Sequence, residues 1–149
     1  MDAKTYLTQG RRLDRRINFN LRRLQKMRAT LYSLYSPQIR DDRVQTSPDG
    51  EPPYVKTLMR ISELNELVNR ETDLLADLMI QINETIRTVE CEDYQLLLLM
   101  RYIENRTWTS IEEELAISNT TAKRWHRAAL RLVRMPEEPI VLDCTREKN

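Results

Sequence analysis

Glycine is nearly absent: Gly10 and Gly50 are the only two in 149 residues. Glycine-rich phosphate loops, dinucleotide fingerprints and the many tight turns of a β-sandwich all need more, so those folds are excluded. The single histidine, His126, and the two cysteines, Cys91 and Cys144, leave a zinc site incomplete unless carboxylates fill it, and give a Ser-His-Asp arrangement only one base. No catalytic residue, metal ligand or cofactor-binding residue is therefore assigned, and the expectation is a binding protein, not an enzyme. Two cysteines so far apart do not make the disulfide framework of a small secreted domain and read as free thiols. Aromatic residues are 6% of the chain, so the core has to be modest and aliphatic. The longest unbroken apolar run, Leu96 to Met100, is five residues, far below the roughly 20 that a membrane helix requires. With a charged N-terminus and no apolar leader, the reading is a soluble cytoplasmic protein without a membrane partner.

Charge is abundant, and its distribution matters more than its sum. The formal net charge is +1, yet residues 1–35 carry nine Lys/Arg against two acids, whereas 54–93 carry four against nine. Between Asn119 and Arg134 there are five basic residues and no acid. A whole-chain isoelectric point would mislead about partners.

Apolar residues recur at threes and fours from Asp2 to Tyr35 (Leu7, Leu13, Ile17, Leu21, Leu24, Leu31, Leu34). They do so again from Tyr54 to Val89 (Leu58, Ile61, Leu64, Val68, Leu75, Met79, Ile82, Ile86, Val89). Both are helical periodicities. The segment 36–53 holds four of the six prolines and cannot continue either helix. The fold expected is all-α: a long antiparallel, coiled-coil-like helical hairpin over 1–90 with a Pro-rich linker at 36–53. The basic first helix would lie beside the acidic second, so flanking charges pair across the seam. The alternatives for Arg11, Arg12, Arg15, Arg16, Arg22 and Arg23 are accessory contact with DNA or with a membrane surface. A homo-oligomer through the hairpin is a further possibility.

After Asp93 the long period gives way to three short helical segments, 93–105, 107–115 and 119–133. Thr107 or Thr109 is placed to cap the second and Ser118 the third. Only Ala116, Ile117 and Ser118 separate those two segments, which is the turn length of a helix-turn-helix. Leu97, Tyr102, Ile111, Leu115, Ile117, Ala122, Trp125, Ala129 and Val133 would form a small core, with Trp108 packing the middle helix and His126 at its edge. The candidate DNA-binding residues are Asn119, Thr120, Thr121, Lys123, Arg124, Arg127, Arg131 and Arg134, the amide, hydroxyl and cationic groups that read base edges and hold phosphates. This module spans 91–135, and a tail, 136–149, either docks as a strand or stays mobile. A plain three-helix bundle with a solvated basic face is the alternative.

The run RYIENRTWTSIEEELAISNTTAKR (101–124) resembles the C-terminal, promoter-reading helix-turn-helix of bacterial sigma factors. The likeness lies in Arg101-Tyr102, Glu104, Trp108, Ile111, Leu115, Ile117-Ser118, Thr121 and Lys123. Two positions depart from that pattern: Glu112 stands where a small Ala is usual, and Ala116 where a left-handed Gly is usual. The opening MDAKTYL with RRLD (11–14), followed by a hairpin and this module, is similar to small phage and prophage proteins of Gram-positive bacteria related to ArpU- and RinA-type late-gene regulators. The resemblance implies a sequence-specific double-stranded DNA-binding activator of phage late genes in the bacterial host cytoplasm, with RNA polymerase as a further partner. The competing readings are a phage small terminase subunit and a helical adaptor that binds RNA polymerase without touching DNA.

Overall fold

The computed structural model describes residues 1–35 and 52–142. Their regular structure is entirely helical: α1 (Ala3–Tyr35), α2 (Pro53–Ile86), α3 (Glu92–Leu98) running into a π-helical turn (Leu99–Ile103), α4 (Trp108–Leu115) and α5 (Asn119–Leu132). The protein is all-α, with no strand among the described residues. The helices of 33 and 34 residues start where the apolar period starts, and α2 opens on Pro53, a residue suited to the first helical position. Most of the linker read at 36–53, together with Cys144 and the end of the tail, lies outside the described residues.

Contacts group the chain into two compact units, Met1–Asp14 with Leu74–Asn149, and Arg15–Asp73. The sequence reading divided the chain instead near residue 90. The difference has a physical source: the first turns of α1 and the last turns of α2 share a unit with the short helices.

The first unit holds all the largest fully buried side chains, among them Tyr6, Leu7 and Leu13 of α1, Leu78, Ile82 and Ile86 of α2, Leu97 and Leu98 of α3, and Ile111 of α4. Each such burial stabilises by roughly 1.5–3 kcal/mol. Gly10 permits a close approach of α1 to α2: a Cβ there would lie 2.8 Å from Met79 Sδ and 3.4 Å from Ile82 Cδ1. The tail docks on the same two helices as irregular chain, held by two glutamines. Gln81 Oε1 accepts from the Tyr6 hydroxyl (2.7 Å) and the Ile140 N–H (2.8 Å), while its Nε2 donates to the Glu138 carbonyl (2.9 Å). Buried Gln9 donates to the Ile140 carbonyl (3.0 Å) and accepts from the Leu142 N–H (2.7 Å). The tail as far as Leu142 is thus docked without forming a strand.

Among the described residues of the second unit the buried apolar set is Ile17, Leu24, Leu64 and Val68. Beside them Asn20 and Glu71 are buried polar residues: Asn20 Nδ2 donates to Glu71 Oε2 at 3.4 Å, and the exposed Arg16 reaches in with its Nε 2.6 Å from Glu71 Oε1. Leu21, Leu34 and Leu58, expected to face inward, are 39%, 58% and 42% exposed. Steps of four, three and four along α1 run from Leu13 through Ile17 and Asn20 to Leu24, so Asn20, and not Leu21, takes the inward position.

Both caps expected from the sequence form. The Thr107 hydroxyl accepts from the Ser110 N–H (3.3 Å), and the Ser118 hydroxyl accepts from the Thr121 N–H (3.2 Å). Ala116 ends α4 in the left-handed region (φ 51°, ψ 45°). Its N–H reaches the Glu113 carbonyl and the Ile117 N–H the Glu112 carbonyl, which is the Schellman pairing. The single helix expected over 93–105 is instead α3 plus the π turn, closed by the Glu104 N–H on the Leu99 carbonyl (3.1 Å). Asn105 then reverses the chain at φ 57°. Of the core expected here, Leu97, Tyr102, Ile111, Ala122 and Ala129 are buried, whereas Leu115, Ile117, Trp125 and Val133 are half-buried.

Candidate functional site

α5 is anchored through its small residues. Ala122 and Ala129 are fully buried, which draws the helix backbone close to the unit's core and leaves the long side chains for the opposite side. At 3.6 residues per turn, Asn119, Thr120, Lys123, Arg124, Arg127 and Arg131 then fall on one face. All six are exposed, and together they line one shallow depression. The helix, NTTAKRWHRAALRL, contains no acid.

Three predicted site residues have prior commitments. Asn119 Nδ2 donates to Glu112 Oε1, so a carboxylate of α4 occupies the first polar group of the face. Thr121 is half-buried and belongs to the cap: its N–H donates to Ser118, whose hydroxyl donates to Thr121 Oγ1 (2.9 Å). Arg134 lies beyond the end of α5, where its N–H donates to Thr88 Oγ1 (3.1 Å) and its guanidinium stands 4.0 Å from Glu90. It lines a different depression, with Thr88, Cys91 and Leu132. Of the eight residues singled out, six share the face, while Thr121 and Arg134 do not.

On another side of α5 the structure assembles a cluster that sequence reasoning had treated as packing alone. The Tyr102 hydroxyl and His126 Nε2 share a 2.8 Å hydrogen bond, and the two rings stack at 5.8 Å. Trp108 meets the imidazole edge-on at 5.1 Å, and the Arg101 guanidinium lies 4.7 Å over the Trp108 ring, a cation–π geometry. Burial first, then Lys4, Arg101 and Arg127, push the imidazole pKa down to about 4. Burial likewise pushes the Tyr102 phenol up to about 12. Both groups are neutral at physiological pH. Lys4, Thr8 and Arg11 of α1 line the same pocket. Their spacing of four and three residues is a legible helical stripe, but nothing in the sequence shows that it faces residues 101–126.

Among the described residues no group of three His, Cys, Asp or Glu is arranged to hold a metal ion, and Cys91 is a free thiol. No helix among them is long and apolar enough to cross a membrane.

The family of proteins of unknown function designated DUF1492 matches residues 33–134. The chain belongs to that family. The DUF1492 match takes in α2 and every short helix, including the whole exposed face of α5, and leaves most of α1 and the docked tail outside. No curated protein and no solved structure is similar enough to the chain to count as a match.

Proposed function

We propose that the protein binds double-stranded DNA in a sequence-dependent way, with α5 in the major groove as the second helix of a helix-turn-helix, and that it regulates transcription, as an activator of the phage late-gene type. The observation that carries this reading is the acid-free face of α5, on which Asn119, Thr120, Lys123, Arg124, Arg127 and Arg131 stand exposed together. A left-handed residue and an N-capping serine separate that helix from α4, as a helix-turn-helix requires. The resemblance of residues 101–124 to the sigma-factor module supports it further.

Within this reading Lys123 and Arg124, in the first half of the helix, contact base edges, while Arg127 and Arg131 ride on phosphates. Asn119 reads a base only after releasing Glu112. Arg134, at the end of the chain segment beyond α5, contributes at most a peripheral phosphate contact. RNA polymerase and a second copy of the chain are further partners within the same proposal. The exposed apolar residues Phe19, Leu21, Tyr32 and Leu34 of α1 are available to them.

Selection of bound fragments from a random duplex pool, repeated at two salt concentrations, tests the reading. A recovered consensus is expected, bound more weakly as salt rises because displaced counterions return. Recovery of unenriched sequence would reduce the face to a non-specific phosphate binder, and no recovery at low salt would remove DNA from the account.

A further inference from the structure

The pocket between the first turns of α1, the π turn and the flank of α5 belongs to neither the α5 reading face nor the hydrophobic core. Its volume is about 300 Å³, enough for one hydrated anionic group. Lys4 and Arg11 enter from α1 and Arg101 from the π turn. Among the described residues no carboxylate forms an ion pair with any of the three. Asp2, whose charge reaches Lys4, is engaged in capping α1, where it accepts the Thr5 N–H at 2.8 Å. The Arg101 guanidinium is fixed from two sides, by the Trp108 ring beneath it and by an Nη1 hydrogen bond to the Arg106 carbonyl at 2.7 Å. Burial, and then the like charge of Arg11, lowers the Arg101 pKa. Three cations gathered around neutral donors, none of them in an ion pair with a carboxylate, leave room for an anion.

We propose that this pocket binds one phosphate group, held by Lys4, Arg11 and Arg101, either as a free phosphoryl anion or as a backbone phosphate of nucleic acid. The Thr8 hydroxyl supplies a further donor, and the neutral Tyr102–His126 pair forms one wall. A planar guanidinium already oriented by stacking loses little freedom on forming a charge-assisted, paired contact with phosphate oxygens. The site does not depend on α5 reading DNA.

The test is a titration of the full chain with inorganic phosphate at constant ionic strength, followed by the NMR signals of the His126 ring and the Trp108 indole. Both signals are expected to shift saturably. Arg11→Gln should weaken binding by about tenfold, Arg11→Lys should recover part of it, and Lys123→Gln on the α5 face should leave it unchanged. Lys4→Gln, at an exposed position that cannot disturb the core, should also weaken it. No saturable shift, or one that survives both Arg11→Gln and Lys4→Gln, overturns the proposal. Duplex DNA then separates the two sources. If the ligand is a backbone phosphate, Arg11→Gln weakens every duplex alike and lowers the salt slope by about one. If it is a free anion, duplex binding is unchanged while the phosphate titration is lost. A positive phosphate titration without any duplex binding would keep this site and remove the α5 reading.

Discussion

The two compact units are built from the same two long helices, yet they differ in what they bury. The unit of residues 1–14 and 74–149 seals Tyr6, Leu7, Leu78, Ile82, Ile86, Leu97 and Ile111 completely. Among the described residues of the unit 15–73, four apolar side chains are closed off, Asn20 and Glu71 are buried with them, and Phe19, Leu21, Tyr32, Leu34, Tyr54, Leu58 and Met59 stay exposed. The same helical periodicity therefore gives a cross-packed core where short helices and the tail cover it, and a two-helix seam where nothing described does. Stability should concentrate in the first unit.

The sharpest way to break this comparison is a pair of truncations. Ile82→Ala empties a fully buried site and should cost about 3–5 kcal/mol, whereas Leu64→Ala in the two-helix seam should cost nearer 2 kcal/mol because the neighbourhood can collapse or admit water. Urea denaturation of both variants gives the numbers. Equal losses would mean that the seam is packed as tightly as the core.

The buried polar cluster should show the next largest effect. Asn20→Leu leaves part of Glu71 without its hydrogen-bond partner, and a destabilisation of about 1–3 kcal/mol is expected. Replacing both, Asn20→Leu with Glu71→Leu, removes the buried charge as well and should recover that loss or exceed it. A thermal-melt double-mutant cycle measures the coupling. A double variant less stable than either single one would show that the cluster contributes net stability through Arg16.

In the first unit the effect of pH turns on His126. Folded, its pKa is about 4, because the ring is buried and Lys4, Arg101 and Arg127 stand around it. Unfolded, it returns to about 6.5. Between these values the unfolded chain binds the extra proton, so stability is full above the unfolded value and falls as the pH drops through the window. The ring is partly exposed, and solvent screening reduces the loss to about 1–2 kcal/mol. Urea midpoints at pH 7 and pH 5 should separate more for the wild type than for His126→Gln, which removes this proton and keeps the carboxylates. Equal separations would place the imidazole in water.

The smallest effect is at the turn. Ala116 already pays for φ 51° with a side chain, so Ala116→Gly should be neutral or stabilising by up to about 1 kcal/mol, the gain being offset by the freer unfolded chain. Ala129→Gly, inside α5 and fully buried, should instead destabilise by about 1 kcal/mol or more. Thermal melts of the two variants should move in different directions or by clearly different amounts.

What could be read in the sequence was whatever depends on near neighbours. Helical periodicity, the prolines that stop helices, the capping of Thr107 and Ser118 and the left-handed Ala116 are decided within a few residues, and the structure has them as read. The grouping of residues 1–14 with 74–142 depends on contacts across most of the chain, which periodicity does not encode. For the same reason nothing in the sequence marks Gln9 and Gln81 as the residues that hold the tail. Apolar periodicity points to Leu21, and an inward Asn20 is not expected from it because its burial rests on Glu71, 51 residues away. At the candidate site, 3.6-residue spacing predicts six residues on one face. The cap at Ser118 and the helix end near 133 already set Thr121 and Arg134 apart from that face, whereas the bond of Asn119 to Glu112 joins two helices and is not legible in spacing.

The most direct test of the central claim sets the two basic surfaces against each other on the selected duplex. The affinity and salt slope of the wild type are compared with those of Lys123→Ala/Arg124→Ala on α5 and Arg15→Ala/Arg22→Ala on α1, each pair removing two exposed charges. The α5 pair should lose about 2–5 kcal/mol of binding free energy and most of the preference for the selected sequence over a scrambled one, while the α1 pair should retain both. Retained preference in the α5 pair with loss in the α1 pair would contradict the account and assign the DNA surface to the first helix.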